Sequence, residues 1–161
     1  MIGEQITLTK EEREIAKLIA ERRIEAGNAS GFYRGKMSDL DDLKMNYEGM
    51  MGEIAFCKLF NSYPDFEVKA RRSKDDQGDC VYKGNKVDVK STKYHRGKLL
   101  VTIWNHGNCD LFCLFTGEDG EYTFKGFCKK EDMLRKERII DLGYGKTYAM
   151  NQNQLKEYED L

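Results

Sequence analysis

The chain has a single proline, Pro64, a single tryptophan, Trp104, and no pair of cysteines spaced C-x-x-C. Scarce proline excludes collagen-like and proline-rich structure, and 11% aromatic residues with abundant Leu, Ile and Val exclude wholesale disorder. No long hydrophobic run exists. The longest stretch without Asp, Glu, Lys or Arg runs only from Leu99 to Cys109 and includes polar residues, whereas a spanning helix needs about 20 apolar residues. The opening Met1-Ile2-Gly3-Glu4 has neither a basic nor an apolar region of the kind a signal peptide needs, so a cytoplasmic protein is expected. Five cysteines, an odd number without framework spacing, read as free thiols in a reducing compartment. His106, Cys109 and Cys113 offer three ligand types without a fourth partner, and buried thiols are the expected reading.

The net charge of −1 conceals an uneven distribution. Residues 1–68 carry −4, residues 69–98 carry +6, and residues 99–161 carry −3. The middle segment is a basic island opening with Lys69, Arg71, Arg72 and Lys74. Such a patch suits a polyanion, because lysine and arginine on phosphate release counterions. Acidic residues embedded inside the island make it more than a solvated loop.

The 161 residues suit a single domain over 1–161. An amphipathic helix is predicted over Thr7 to Ala26, capped by Thr9 with Glu12 and presenting Ile15, Leu18, Ile19 and Arg22. A second is predicted from about Leu43 to Phe60, with Tyr47, Met50, Met51, Ile54, Ala55 and Leu59 on one face. Gly49 and Gly52 in it permit close approach of a neighbouring backbone. Strands are predicted at Phe66 to Val68, Asp79 to Tyr82, Lys86 to Lys90, Leu99 to Trp104, Leu111 to Phe115 and Glu121 to Phe127. A short helix over Lys129 to Glu137, a last strand from Gly143 to Met150 and a polar tail complete the chain. Helices, then strands, then a small helical element define an α/β or α+β domain with a mixed central sheet.

Gly84-Asn85 is a two-residue hairpin signal. With that turn, Cys80 lies opposite Val89 and Val81 opposite Asp88. Alternation then places Cys80, Tyr82, Val87 and Val89 on a core face, and Asp79, Val81, Lys83, Lys86, Asp88 and Lys90 on the other. Asp79 and Asp88 are diagonal neighbours, about 7–8 Å apart along the backbone, close enough for their carboxylates to share one cation. Two carboxylates, a cation such as Mg²⁺ and a lysine suit phosphodiester hydrolysis. The hairpin alone leaves an exposed strand pair with scattered charges equally open.

Gly78-Asp79 followed by Val87-Asp88-Val89-Lys90-Ser91-Thr92 resembles the D…(D/E)-x-K signature of the PD-(D/E)XK nuclease superfamily. The segment Tyr47-Glu48-Gly49-Met50-Met51-Gly52-Glu53-Ile54-Ala55-Phe56 is similar to the helix that supplies a further acid in many members, small phage and prophage proteins included. The resemblance implies a restriction-endonuclease-like αβββαβ core. It implies Asp79 and Asp88 as metal ligands, Glu53 as the helix-borne acid, the Val89 carbonyl as an added ligand, and Lys90 as the catalytic lysine. Mg²⁺ is the implied cofactor, with Mn²⁺ as a substitute. DNA is the implied partner, with RNA and a homodimer left open; in a phage-encoded protein the compartment would be the host cytoplasm. Two departures stand out: no proline precedes Asp79, and only eight residues separate it from Asp88.

Lys69, Arg71, Arg72, Lys74, Ser91, Thr92, Lys93 and Arg96 are candidate nucleic-acid contacts. Tyr94 and His95 lie in the same turn. Arg22 and Arg23 suit either phosphates or the helix dipole, and Trp104 is expected in the core. The expectation is a metal-dependent DNA endonuclease. A Holliday-junction or branched-DNA resolvase of the same fold is the alternative within the class. A non-catalytic nucleic-acid-binding or regulatory protein is the alternative outside it, and a protein acting only by contact with other proteins has the acidic ends of the chain in its favour.

Overall fold

A computed structural model describes residues 1–29, 39–68, 79–104 and 107–161. Lys69, Arg71, Arg72, Lys74 and His106 lie outside the described residues. The fold is mixed α+β: one five-stranded sheet, a second sheet of three strands, and helices packed on the first.

Strand β1 (Gln5–Thr7), missed in the sequence, leads into helix α1 (Lys10–Ala29). The cap forms as expected. Thr9 N–H donates to the Glu12 carboxylate at 2.7 Å, and Glu12 N–H donates to Thr9 Oγ1 at 3.1 Å. The helix starts three residues later than predicted because 5–7 pair with another strand. Its buried face also differs. Ile15 and Leu18 are 42% and 50% exposed, while Ala16 and Ala20 are buried. Small residues let α1 approach its neighbour closely, and that gain outranks burying two larger side chains.

Helix α2 (Asp39–Phe60) is sandwiched between α1 and the sheet, so Met50, Met51, Ile54, Ala55, Phe56 and Cys57 are all buried. Gly52 sits over β3, where a Cβ would meet Ser91 at 3.6 Å, whereas Gly49 faces open space. Phe66 to Val68 is not a strand. The carbonyls of Asp65 and Glu67 accept from the Arg23 guanidinium instead of a neighbouring strand.

Strands β2 (Cys80–Tyr82) and β3 (Asn85–Thr92) form the expected hairpin with a different turn. Lys83 and Gly84 occupy it, both at positive φ (47° and 80°), as a tight primed turn requires. Cys80 therefore pairs with Val87 and Val81 with Lys86. The predicted pairing is displaced by two residues, which preserves the alternation of faces. Continued one step, the register brings Asp79 level with Asp88 rather than diagonal to it.

Strand β4 (Leu99–Thr102) joins the second sheet. Strand β5 (Leu111–Glu118) returns parallel to β3, and β6 (Glu121–Lys129) runs antiparallel to β5, completing the order β1-β6-β5-β3-β2. The connection between the parallel strands thus runs through β4, where an αβββαβ order has a helix. Helix α3 covers only Lys130–Met133, with a 3₁₀ turn at Lys136–Arg138, so the predicted Lys129 to Glu137 helix is broken. Strand β7 (Ile139–Asp141) was missed, and β8 (Lys146–Met150) starts later than Gly143 because 142–145 form the β7–β8 turn. The second sheet has the order β4-β8-β7. The C-terminal segment is more than a polar tail: Leu155 is buried, and Tyr158 and Leu161 pack on the core.

Strand β5 is covered on both faces. Leu111, Cys113 and Phe115 join the cluster under α1 and α2, while Phe112 and Leu114 join Leu99, Val101, Cys128, Met133 and Met150 under the second sheet. Its continuous apolar run is that of a central strand. Cys109 and Cys113 are buried in different clusters, on opposite sides of the sheet, which sets aside a shared metal site. No helix among the described residues is long and apolar enough to cross a membrane.

Candidate carboxylate–lysine site at the open edge of β3

Strand β2 pairs with β3 only as far as Val87, so among the described residues no strand pairs with this edge of β3 from Asp88 onward. Asp79, at the bend before β2, fills the gap by accepting from the Val89 N–H at 2.9 Å. Because N–H and C=O of one strand residue leave on the same side, the Val89 carbonyl points to this edge too. Asp88 and Lys90 align with Phe112 and Leu114 and therefore face the second sheet, while Val87 and Val89 face the helices.

Lys90 Nζ lies 2.6 Å from Asp88 Oδ1. The contact is a close ion pair that engages a buried carboxylate oxygen. Burial first, and then the charge of Asp79, push the Asp88 carboxyl up to about 6, although Lys90 pulls the other way. Burial works against the Lys90 ammonium, but Asp88 and Asp79 outweigh it and hold this amine above its ordinary range.

Glu53 reaches the same cleft from the helix side of the sheet. It is buried, and its carboxylate stands 3.8 Å from Arg23 Nη1. Arg23 thus braces Glu53 and the Asp65–Glu67 segment and is not presented to phosphate, while Arg22 pairs with Glu25 on the surface. The neighbouring acid Glu48 is engaged elsewhere. It accepts from the Tyr122 hydroxyl at 2.6 Å and from Asp119 N–H, tying α2 to the β5–β6 turn.

The cleft has a volume of about 840 Å³ and wraps around this edge. Gly49 and Glu53 line one wall, Leu100 and Thr102 of β4 the other, with Asp79, Lys90, Ser91, Thr92 and Lys93 between them. Thr92 Oγ1 also accepts from Tyr94 N–H, so its hydroxyl is partly committed to the turn. Lys93 is exposed, 5.4 Å from the Tyr94 ring centre, and Arg96 is exposed on the same turn.

The sequence put Cys80 on the core face and read Cys109 as a buried thiol, but it did not bring these two or Gly107 to the surroundings of the site. Cys109 is buried near Asp88, and burial with that neighbouring carboxylate pushes its thiol up to about 12. Gly107 lies against the site: a Cβ there would stand 3.9 Å from Asp88 Oδ2. Cys80, next to Asp79, has its sulfur 3.4 Å from that of Cys57, a contact that holds the Cys80 thiol protonated. None of these carried a motif in the sequence.

The donor set can be tested against the implied cation. A buried carboxylate, a second carboxylate beside it and a carbonyl on the same edge are hard oxygen donors of the kind Mg²⁺ prefers while keeping waters. Among the described residues, no three Asp, Glu, His or Cys side chains converge on one metal position. The fit is therefore to a two-carboxylate site, with Glu53 on the opposite side of the sheet edge. No family model, curated protein or solved structure matches the chain.

Proposed function

We propose that this protein is a metal-dependent DNA endonuclease of the PD-(D/E)XK type, hydrolysing phosphodiester bonds in the cleft at the edge of β3. The observation that carries the reading is the trio Asp79, Asp88 and Lys90, gathered where the pairing of β2 with β3 ends. Asp79 and Asp88 would hold Mg²⁺ or Mn²⁺, with the Val89 carbonyl at hand. Such an ion supplies Lewis acidity to water and phosphoryl oxygens. Lys90 stays protonated beside Asp88, which suits it to offset charge developing on phosphate and to orient water rather than to act as a base. Glu53, held by Arg23, maintains negative potential on the helix side of the cleft.

The test is cleavage of supercoiled, linear, single-stranded and branched DNA with Mg²⁺, with Mn²⁺ and with EDTA. Wild-type protein should cut at least one substrate with either metal and none in EDTA, and Asp88→Asn should abolish cutting. No cleavage of any substrate would leave the non-catalytic nucleic-acid-binding reading in its place, and cleavage that survives EDTA would overturn the metal dependence.

A further inference from the structure

Trp104, expected in the core, is 92% exposed. It lies two residues beyond Thr102, in the bend that follows β4. Leu100 and Thr102 already line the cleft. A second ring stands at the same end of the small sheet. Thr102 pairs with Thr147, and the β7–β8 turn just before β8 carries Tyr144, 88% exposed.

The chain itself ties Trp104 to the carboxylates. Gly107 rests against Asp88, and its carbonyl accepts from Lys130 Nζ at 3.0 Å. Asp110 is fixed by backbone bonds to Lys86 and Lys130. Trp104 precedes Gly107 by three residues, so their Cα atoms are at most about 11 Å apart.

What such rings could take follows from the cleft's charge. Its lining includes the acids Asp41, Glu48, Glu53, Asp79 and Glu118 against Lys44, Lys90 and Lys93. These walls offer a polyanion little net attraction, so affinity must come in part from contacts indifferent to charge. Exposed indole and phenol faces provide such contacts to nucleobases, whatever the sequence, but only where the base faces are not already stacked in a duplex.

We infer that Trp104 and Tyr144 form a stacking platform for unpaired bases, and that the cleft takes single-stranded nucleic acid or the single-stranded part of a branched one. The inference rests on the nucleic-acid reading of the cleft and narrows its substrate.

The lone tryptophan is its own reporter. The full chain is titrated in EDTA with a single-stranded oligonucleotide of about 12 nucleotides, a length within the usual range of such sites, and with the blunt duplex of the same sequence. Indole emission and the anisotropy of labelled DNA are followed together. The single strand should quench Trp104 saturably and bind at least about fivefold more tightly than the duplex. Trp104→Ala should weaken single-strand binding about tenfold, equivalent to about 1.4 kcal/mol, with Trp104→Phe restoring most of it. Tyr144→Ala should cause a smaller loss. Full binding by anisotropy with unmoved emission, or Trp104→Ala binding like wild type, overturns the platform. Trp104-dependent self-association without quenching also overturns it, and makes the rings a face between copies. Quenching without any metal-dependent cleavage would defeat the nuclease reading alone, whereas cleavage without quenching would defeat only the platform.

Discussion

Asp88 is a carboxylate enclosed by protein and set beside a second carboxylate, and the folded chain binds its proton more tightly than the unfolded chain does. An unfolded aspartate titrates near about 3.9, whereas this group is pushed up to about 6. On its account stability is greatest below about pH 4, falls as pH rises through the interval to 6, and then levels off, because the native state binds more protons there. The loss is about 3 kcal/mol at most. Asp88→Asn removes the charge, so metal-free variant protein should melt at least roughly 2–4 °C higher than wild type at pH 7. The advantage should shrink as pH approaches 4. Thermal melts in EDTA across pH 4–7 read this directly, and parallel curves for the two proteins would place Asp88 in an unperturbed setting.

The hairpin of β2 and β3 sets the relative position of Asp79 and Asp88, and its turn has a checkable signature. Lys83 adopts positive φ, a conformation glycine enters freely and alanine does not. Lys83→Gly and Lys83→Ala both lose the ion pair with Glu159 and the contact with the Tyr158 ring. Their difference therefore isolates the backbone. In urea melts the glycine variant should be more stable by about 1 kcal/mol. A turn at Gly84-Asn85 would make Lys83 a strand residue and reverse that order. Sequence alternation nevertheless assigned the faces of Asp88, Lys90, Val87 and Val89, because the true register differs from the predicted one by two residues and a shift of two leaves side chains on the same face. Strands β1 and β7, at three residues each, are too short to carry a period. The Phe66 to Val68 segment has strand-like residues but is not a strand, and Arg23 takes the carbonyls of Asp65 and Glu67.

At the scale of the whole molecule, the groups that the D…D-x-K pattern and the Gly-Glu helix suggest as one site reach the cleft from different layers. Glu53 comes from the helical layer, and Asp88 and Lys90 face the second sheet. Asp79 joins the two sides at the edge of β3. Spacing along the chain made Asp79, Asp88 and Lys90 legible together because one hairpin holds them. It left the approach of Glu53 and the exposure of Trp104 illegible, since both depend on packing between distant segments. Burial of Ala16 and Ala20 in place of Ile15 and Leu18 has the same origin: a helix chooses its buried face by the neighbour it must approach.

The central claim is that the two aspartates bind the cation while Lys90 serves the chemistry, and one paired measurement separates those roles. Mn²⁺ binding by calorimetry and cleavage rate are determined on wild type, Asp79→Asn, Asp88→Asn and Lys90→Ala. Both aspartate variants should bind Mn²⁺ more weakly and cease to cut, because each loses a hard anionic ligand. Lys90→Ala removes the ammonium that stands 2.6 Å from Asp88, so it should bind Mn²⁺ as tightly as wild type or more so. Its cleavage should still fall by about a hundredfold or more, the loss expected when a group acting on transition-state charge is deleted. Wild-type cleavage by Lys90→Ala, or undiminished Mn²⁺ binding by Asp88→Asn, would contradict the account.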